Sequence, residues 1–338
     1  SVVSSILDAS GTDTNINVVL SPKGTGAIIG QEPDGTTAGG NARGAGSVDF
    51  QTFLRSAATQ VASGARSIIP GGYYNTASGT ASVAMGRQNT SSSGFAHAYG
   101  NANISSGYSS FTFGSFSSAT NSNAIAIGYQ ATSSGNFSVA TGRESTADAD
   151  HSMASGVKAN THGIKGLHAI APIGTTSSTY KNPQFYKVIL TAVTPESSSD
   201  SSERYLTTDG GSLANNNSTD SRYNSIYIGR TDGTNVRQIY IEGIIKASQV
   251  GGGLNHANHG IWEVSGFLRN PGPNGDSMSN RSITKKYGYY TDPWLDEDYG
   301  SSGSGNSEEW WWRLKVRGSG SHSLLWTAYL TCYVTDET

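Results

Sequence analysis

From Ser82 onward the chain repeats one arrangement of large, small and polar positions. Val83-Ala84-Met85, His97-Ala98-Tyr99, Phe111-Thr112-Phe113, Ile125-Ala126-Ile127 and Val139-Ala140-Thr141 each set a small residue between two larger ones. Period two is the mark of a strand with two different faces, so each fourteen-residue unit supplies at least one short strand. Glycine keeps the same beat at half the interval: Gly72, Gly79, Gly86, Gly100, Gly107, Gly114, Gly128, Gly135, Gly142, Gly156 and Gly163. Ser93, Asn121 and Ala149 fill the gaps in that series. A fixed period means one supersecondary unit stacked many times.

Roughly eight coils between Ala57 and Gly166, stacked about 4.8 Å apart, make a rod on the order of 40 Å long. The expectation is that the large residues fill the inside of each coil, with His97 in a core slot. The alanine face would then let a second backbone approach. The glycines are expected to occupy turns with φ > 0. Charge is kept out of the stack: from Tyr73 to Ala147 only Arg87, Arg143 and Glu144 are ionised. Repeated like charges would repel at every rung.

Either side of the repeat the pattern changes. Residues 1–56 read as a connector, with a short strand at Asn17-Val18-Val19-Leu20, a turn at Ser21 to Gly26 and a first imperfect rung at Ser47-Val48-Asp49-Phe50. Residues 57–171 are the repeat shaft, and Ala171-Pro172 marks its end. Residues 172–338 are rich in strands, among them Phe185–Val193, Ser225–Gly229, Gln238–Ile245, Ile261–Leu268 and the alternating Trp310–Arg317. Many short strands separated by Gly and Asn turns predict an antiparallel β-sandwich knob.

The cadence Ser-Val-Ala-Met-Gly, Asn-Thr-Ser-Ser, Ala-Ile-Ala-Ile-Gly resembles the head repeats of trimeric autotransporter adhesins. That resemblance covers about a third of the chain and implies a left-handed parallel β-roll with three chains side by side. Bacteriophage fibres use the same unit. The segments Ser21–Gly26 and Gly40–Ala45, and later Leu206-Thr207-Thr208-Asp209-Gly210-Gly211 and Trp312–Val316, are similar to tail-fibre proteins of double-stranded DNA phages. What this implies is a non-enzymatic tail-fibre tip on a virion, assembled in the host cytoplasm. It would be joined to other tail proteins through the connector and would attach to a host cell-surface glycan. A bacterial adhesin head and a glycan-depolymerising spike remain the alternatives.

Composition agrees with an elongated or oligomeric molecule. The 338 residues are 35% hydrophobic and 14% charged, with net charge −3. No basic stripe points to nucleic acid, no apolar run approaches the ~20 residues of a membrane span, and no cofactor motif is present. The Gly-rich connector lacks the Gly-Lys-Ser/Thr of a phosphate loop. Cys332 is the single cysteine and is expected to be a buried strand thiol. Ser1 opens the chain without Met or signal peptide, which suggests a processed chain or a fragment.

The most site-like stretch is Lys285–Gly300, read as a loop crowded with aromatics and acids. Aromatic faces stack on sugar rings and carboxylates accept from hydroxyls, so Tyr289, Tyr290, Trp294, Asp296 and Tyr299, with Trp311, are the candidate receptor contacts. Packing of these aromatics on a neighbouring chain is the competing reading. A pair of these acids could serve glycoside hydrolysis only at a separation of roughly 5–9 Å. His256 and His259 lack the third and fourth ligands of a zinc site, unless three chains bring copies together on an axis. No catalytic residue and no metal ligand is assigned.

Overall fold

The computed structural model describes residues 19–52, 55–171, 183–194, 204–208, 226–230, 236–250, 259–269, 279–288, 294–302, 309–317 and 323–337. Among these residues the fold is all-β, with no helix. The repeat is a parallel β-solenoid. Its five-residue strands Val83–Arg87, His97–Asn101, Phe111–Ser115, Ile125–Tyr129, Val139–Arg143 and Met153–Val157 stack fourteen residues apart, with Phe111 on Ile125 and Ile125 on Val139. Two-residue strands from Thr76–Ala77 to Thr146–Ala147 build the opposite wall. The stack starts inside the N-terminal connector, because Ile28–Ile29 pairs in parallel with Val48–Asp49, and that strand pairs with Ile68–Ile69. Of the short strand expected at Asn17–Leu20, Val19 and Leu20 are exposed and carry no strand; the other two residues lie outside the described ones.

The inside and outside of the coil are the reverse of the sequence expectation. Ala84, Ala98, Thr112, Ala126, Ala140 and Ala154 are fully buried, whereas Met85, Phe113 and Ile127 are 43%, 55% and 37% exposed. His97 is half-buried on the outward face and is not in a core slot. The reason is the width of the lumen. The facing wall and the turn leading into each strand also carry only Ala and Ser: Ala77, Ser82, Ser91, Ala96, Ser105, Ser110, Ala119, Ala124. A coil this thin closes on methyls and hydroxyls and leaves no room for Ile or Phe. Where both positions are Ser, they hydrogen-bond across the lumen, Ser105 to Ser110 at 2.7 Å and Ser133 to Ser138 at 2.6 Å.

A side-chain ladder satisfies the backbone at one corner. Asn75, Asn89 and Asn103 are fully buried. Each amide Nδ2 donates to the carbonyl of a glycine one rung on, Gly86, Gly100 and Gly114, at 2.7–2.8 Å. Each Oδ1 accepts the N–H of the equivalent residue of the next coil, Asn89, Asn103 and Ser117. Buried backbone groups that have lost water need such partners.

Glycine has two separate reasons here. At Gly86, Gly100, Gly114, Gly128, Gly142 and Gly156, φ lies between 108° and 135°. At Gly79, Gly107 and Gly135 no positive φ occurs, yet an added Cβ would meet the next rung's carbonyl oxygen at 1.8–1.9 Å. The left-handed turn positions instead follow two residues later and carry ordinary side chains, among them Gln88, Phe95, Phe116 and Phe137.

Beyond the shaft the same sheet continues. His168–Ala171 pairs antiparallel with Gln184–Thr194, which is followed by Leu324–Glu337, Val236–Gln249, His259–Arg269 and Ser279–Gly288, making 16 strands in all. A separate four-stranded sheet joins Arg204–Tyr205, Ile226–Arg230 and Trp294–Ser302 to Glu309–Arg317. Leu206, Leu314 and Val316 share one buried cluster with Val188, Leu190, Ile241, Trp326 and Val334 of the large sheet. Trp326 stacks on Trp262 with centroids 5.3 Å apart and donates Nε1–H to Thr194 Oγ1 at 3.1 Å. Cys332 is fully buried in its strand, as expected, and burial pushes its thiol pKa far up.

Candidate functional site

The described parts of the segment Lys285–Gly300 are strand and not loop; residues 289–293 lie outside the described residues. Lys285–Gly288 ends the strand Ser279–Gly288 and Trp294–Gly300 belongs to the strand Trp294–Ser302. Tyr289 and Tyr290 lie outside the described residues, as does His256; His259 opens the strand His259–Arg269. Alternation that the acids and turn residues obscured in the sequence is supplied by the partner strand. Trp294 stands across from Arg317, Asp296 from Lys315, Asp298 from Arg313 and Gly300 from Trp311. Opposite charges in register support such a pairing. Trp294, Asp296 and Trp311 therefore share one row of the small sheet. Tyr299 is opposite Trp312, in the row that contains the fully buried Leu314 and Val316. The register brings three of the predicted contacts to one face and puts Tyr299 on the other.

A groove that sequence reasoning missed lies on the large sheet. It is open, about 700 Å³ in volume, and is lined by Tyr240, Glu242, Ile244, Lys246, Glu263 and Tyr329 among others. Its charged groups have contacts within the chain. The Tyr333 hydroxyl donates to Glu242 Oε1 at 2.9 Å, and that carboxylate pushes the phenol pKa up. Lys286 Nζ lies 2.8 Å from Glu263 Oε2, and Lys246 Nζ sits 5.7 Å from the centre of the Tyr329 ring. Around them Tyr240, Ile244, Tyr329 and Tyr333 are 42–49% exposed. The signal in the sequence was the second period-two row of these strands, where Tyr240, Ile244, Tyr329 and Tyr333 alternate with polar residues.

At the other end of the chain, charge is buried rather than displayed. Arg43 Nε and Asp49 Oδ2 are 2.8 Å apart with both side chains almost fully enclosed. Arg55 donates to the carbonyls of Ala38, Gln51 and Gln60 at 2.7–2.9 Å. Burial and the nearby Arg43 lower its pKa. Gln51 carries this network into the asparagine ladder, since its Oε1 accepts the N–H of Asn75 at 2.8 Å. The cluster is enclosed within the protein at the start of the stack, with Arg43 Nη2 its one buried nitrogen without a hydrogen-bond partner. Among the described residues, no cluster of His, Cys, Asp or Glu has the composition of a metal site. No helix there is long and apolar enough to cross a membrane.

The outward face of the shaft is a column of half-exposed, mostly apolar side chains running Val83/Met85, His97/Tyr99, Phe111/Phe113, Ile125/Ile127, Val139/Thr141 and Met153. Contiguous apolar surface of this kind marks an interaction face. The YadA head domain repeat matches here twice, over residues 119–145 and 133–159. No curated protein matches the chain. Among solved structures, the tailspike protein gp49 of Acinetobacter baumannii bacteriophage Fri1, described as a capsular polysaccharide depolymerase, aligns at 11% identity over 92% of this chain and 46% of its own, with a TM-score of 0.19. The tailspike protein of Acinetobacter baumannii phage AM24 aligns at 6% identity over 91% of this chain and 53% of its own, with a TM-score of 0.20. This chain thus spans about half the length of either tailspike, and TM-scores this low establish no common fold.

Proposed function

We propose that this chain forms the receptor-attaching end of a bacteriophage tail fibre: a parallel homotrimer whose shaft is the β-solenoid and whose knob is the antiparallel sandwich of residues 172–338. The observation that carries the reading is the solenoid's outward apolar column, in a region that matches an adhesin head repeat. A coil lined by alanine and serine buries little apolar area of its own, so covering Met85, Phe113 and Ile127 with two further copies supplies what one coil lacks. The connector would join other tail proteins, and the knob would bind a host glycan without cleaving it. In the groove, Glu242 and Glu263 are held by Tyr333 and Lys286, which favours structural carboxylates over an acid/base pair. Adhesion asks only for repetition: weak single sites on a rigid trimer gain avidity by roughly 10² or more.

The row of Trp294, Asp296 and Trp311, with Tyr289 and Tyr290 nearby in sequence, is the proposed contact, and Tyr299, in the row of Leu314 and Val316, is left out of it. Host-cell adsorption by folded Trp294→Ala and Tyr290→Ala trimers tests it; undiminished adsorption by both removes this surface from the account. Release of reducing sugar from host glycan by the unaltered protein would overturn the non-enzymatic reading. The bacterial trimeric adhesin remains the second reading, favoured by the repeat match itself. A gene set among outer-membrane genes rather than tail genes would decide for it.

A further inference from the structure

The outward face of the shaft does not stop where the repeat stops. Register carries it, strand by strand, into the knob. Met153 lies beside His168, His168 beside Lys187, and Ile170 beside Phe185. From there one cross-strand row runs Phe185, Tyr333, Tyr240, Phe267, and the next apolar row runs Ile189, Tyr329, Ile244. Directly opposed residues share a face, so these rows lie on the same side of one 16-stranded sheet as Phe113 and Ile127. The alternate residues Val188, Leu190, Ile241, Ile245, Ala328 and Leu330 are buried against the core. The outward rows are left open, with Ile189 53%, Val193 48%, Ile244 43% and Tyr329 49% exposed.

We infer that a second copy of this chain covers this face of the knob, so that one interchain interface extends from the shaft through the strands Gln184–Thr194, Leu324–Glu337 and Val236–Gln249. The inference rests on the trimeric reading of the shaft and adds to it the surface by which the knob assembles. Three observations select a second copy as the occupant. The face is continuous, without a break in sheet, with the column that the adhesin-type repeat presents. Its apolar rows are aromatic and aliphatic, like the centre of an interchain contact. Part of the charge it holds is matched within the chain, Glu263 by Lys286 and Lys246 by the Tyr329 ring, which lowers the cost of covering it. The groove by Tyr240 and Tyr329 then becomes a seam between copies. The small sheet's row of Trp294, Asp296 and Trp311 belongs to the other sheet.

The test uses thiol accessibility in the whole protein. Cys332 is fully buried, so it gives little background labelling. Ile127→Cys probes the shaft; Ile189→Cys and Ile244→Cys probe the knob at two independent positions. Each is labelled with a maleimide in native and unfolded protein, and a benzophenone attached at the same position then reports chain-to-chain cross-links. Native labelling at least ~10-fold slower than unfolded at all three, with interchain cross-links from position 189 or 244, is the expected result for an interface packed like a protein interior. Slow labelling at 127 with fast labelling at both 189 and 244 overturns this inference and leaves the trimeric shaft standing. Fast labelling at all three overturns the trimer as well. Protection at 189 and 244 that appears only on adding host saccharide also overturns it, assigning the groove to a glycan.

Discussion

Replacing Gly128 by alanine tests the stacking geometry where two coils approach closely. A Cβ at this position would sit 1.9 Å from the carbonyl oxygen of Gly142 and 2.8 Å from its carbon. Both are backbone atoms, so no side chain can swing aside. Relief requires the two coils to separate by more than an ångström. The bonds flanking this contact, Thr132 N–H to Ser145 O and Glu144 N–H to Tyr129 O, are each 2.8 Å long and would be stretched beyond useful length. Losing two such bonds costs about 1–3 kcal/mol. Holding alanine at the φ of 135° seen for Gly128 adds about 1–3 kcal/mol. The control is Gly163→Ala, where φ is 71° and nothing lies within 4 Å of an added Cβ. That change costs about 1–2 kcal/mol from the left-handed backbone alone. Denaturant unfolding of both variants should put Gly128→Ala below Gly163→Ala by about 2 kcal/mol per chain, with unchanged m-value. Equal midpoints would refute the claim that the next rung's backbone, and not the turn conformation alone, demands glycine.

Two further outcomes follow from the same coils. Asn103→Ala should lose about 2–4 kcal/mol in thermal or denaturant unfolding, because the Ser117 N–H and the Gly114 carbonyl both lose a buried partner. Asn103→Ser should recover part of this, since Ser117 Oγ already makes the equivalent bond to Gly128 O at 3.0 Å one rung on. Asp150 accepts from the backbone N–H and side-chain amide of Asn136, and the backbone bond is the main reason its pKa lies below 3.8. A depressed native pKa contributes stability above the unfolded value that is lost as pH falls from about 3.8 through the native one. An acid unfolding series should therefore show a shallower fall for Asp150→Asn than for the unaltered protein.

How much of this was legible in the sequence depends on which physical question was asked. The fourteen-residue period, the strands around Phe111 and Ile125, the strand-borne Cys332 and the alternation ending in Leu314 and Val316 all follow from repetition and period-two burial. Which side of the coil is inside does not follow from alternation alone, since two faces of different size can be closed either way. The clue was present in the other half of each unit. Ala77, Ser82, Ser91 and Ala96 are as small as Ala84 and Ala98, and two small rows can only face each other across a narrow lumen. The strand Trp294–Ser302 was hidden because its long-range partner Glu309–Arg317 sets the pairing, and its acids and Gly300 look like turn chemistry when read alone. The buried cluster of Arg43, Asp49 and Arg55 was hidden for a related reason: Arg55 is held by backbone carbonyls, which leave no trace in composition.

Equilibrium sedimentation of the unheated protein tests the central claim, that the outward apolar column of the shaft is an interface among three copies. The account predicts the mass of a trimer of 35.3 kDa chains for the unaltered protein. It also predicts that the trimer of Ile127→Asp dissociates at concentrations where the unaltered one persists, because Ile127 is 37% exposed in one chain and would place a carboxylate in that interface. A stable monomer, or a trimer as tight with Ile127→Asp as without it, would contradict the account.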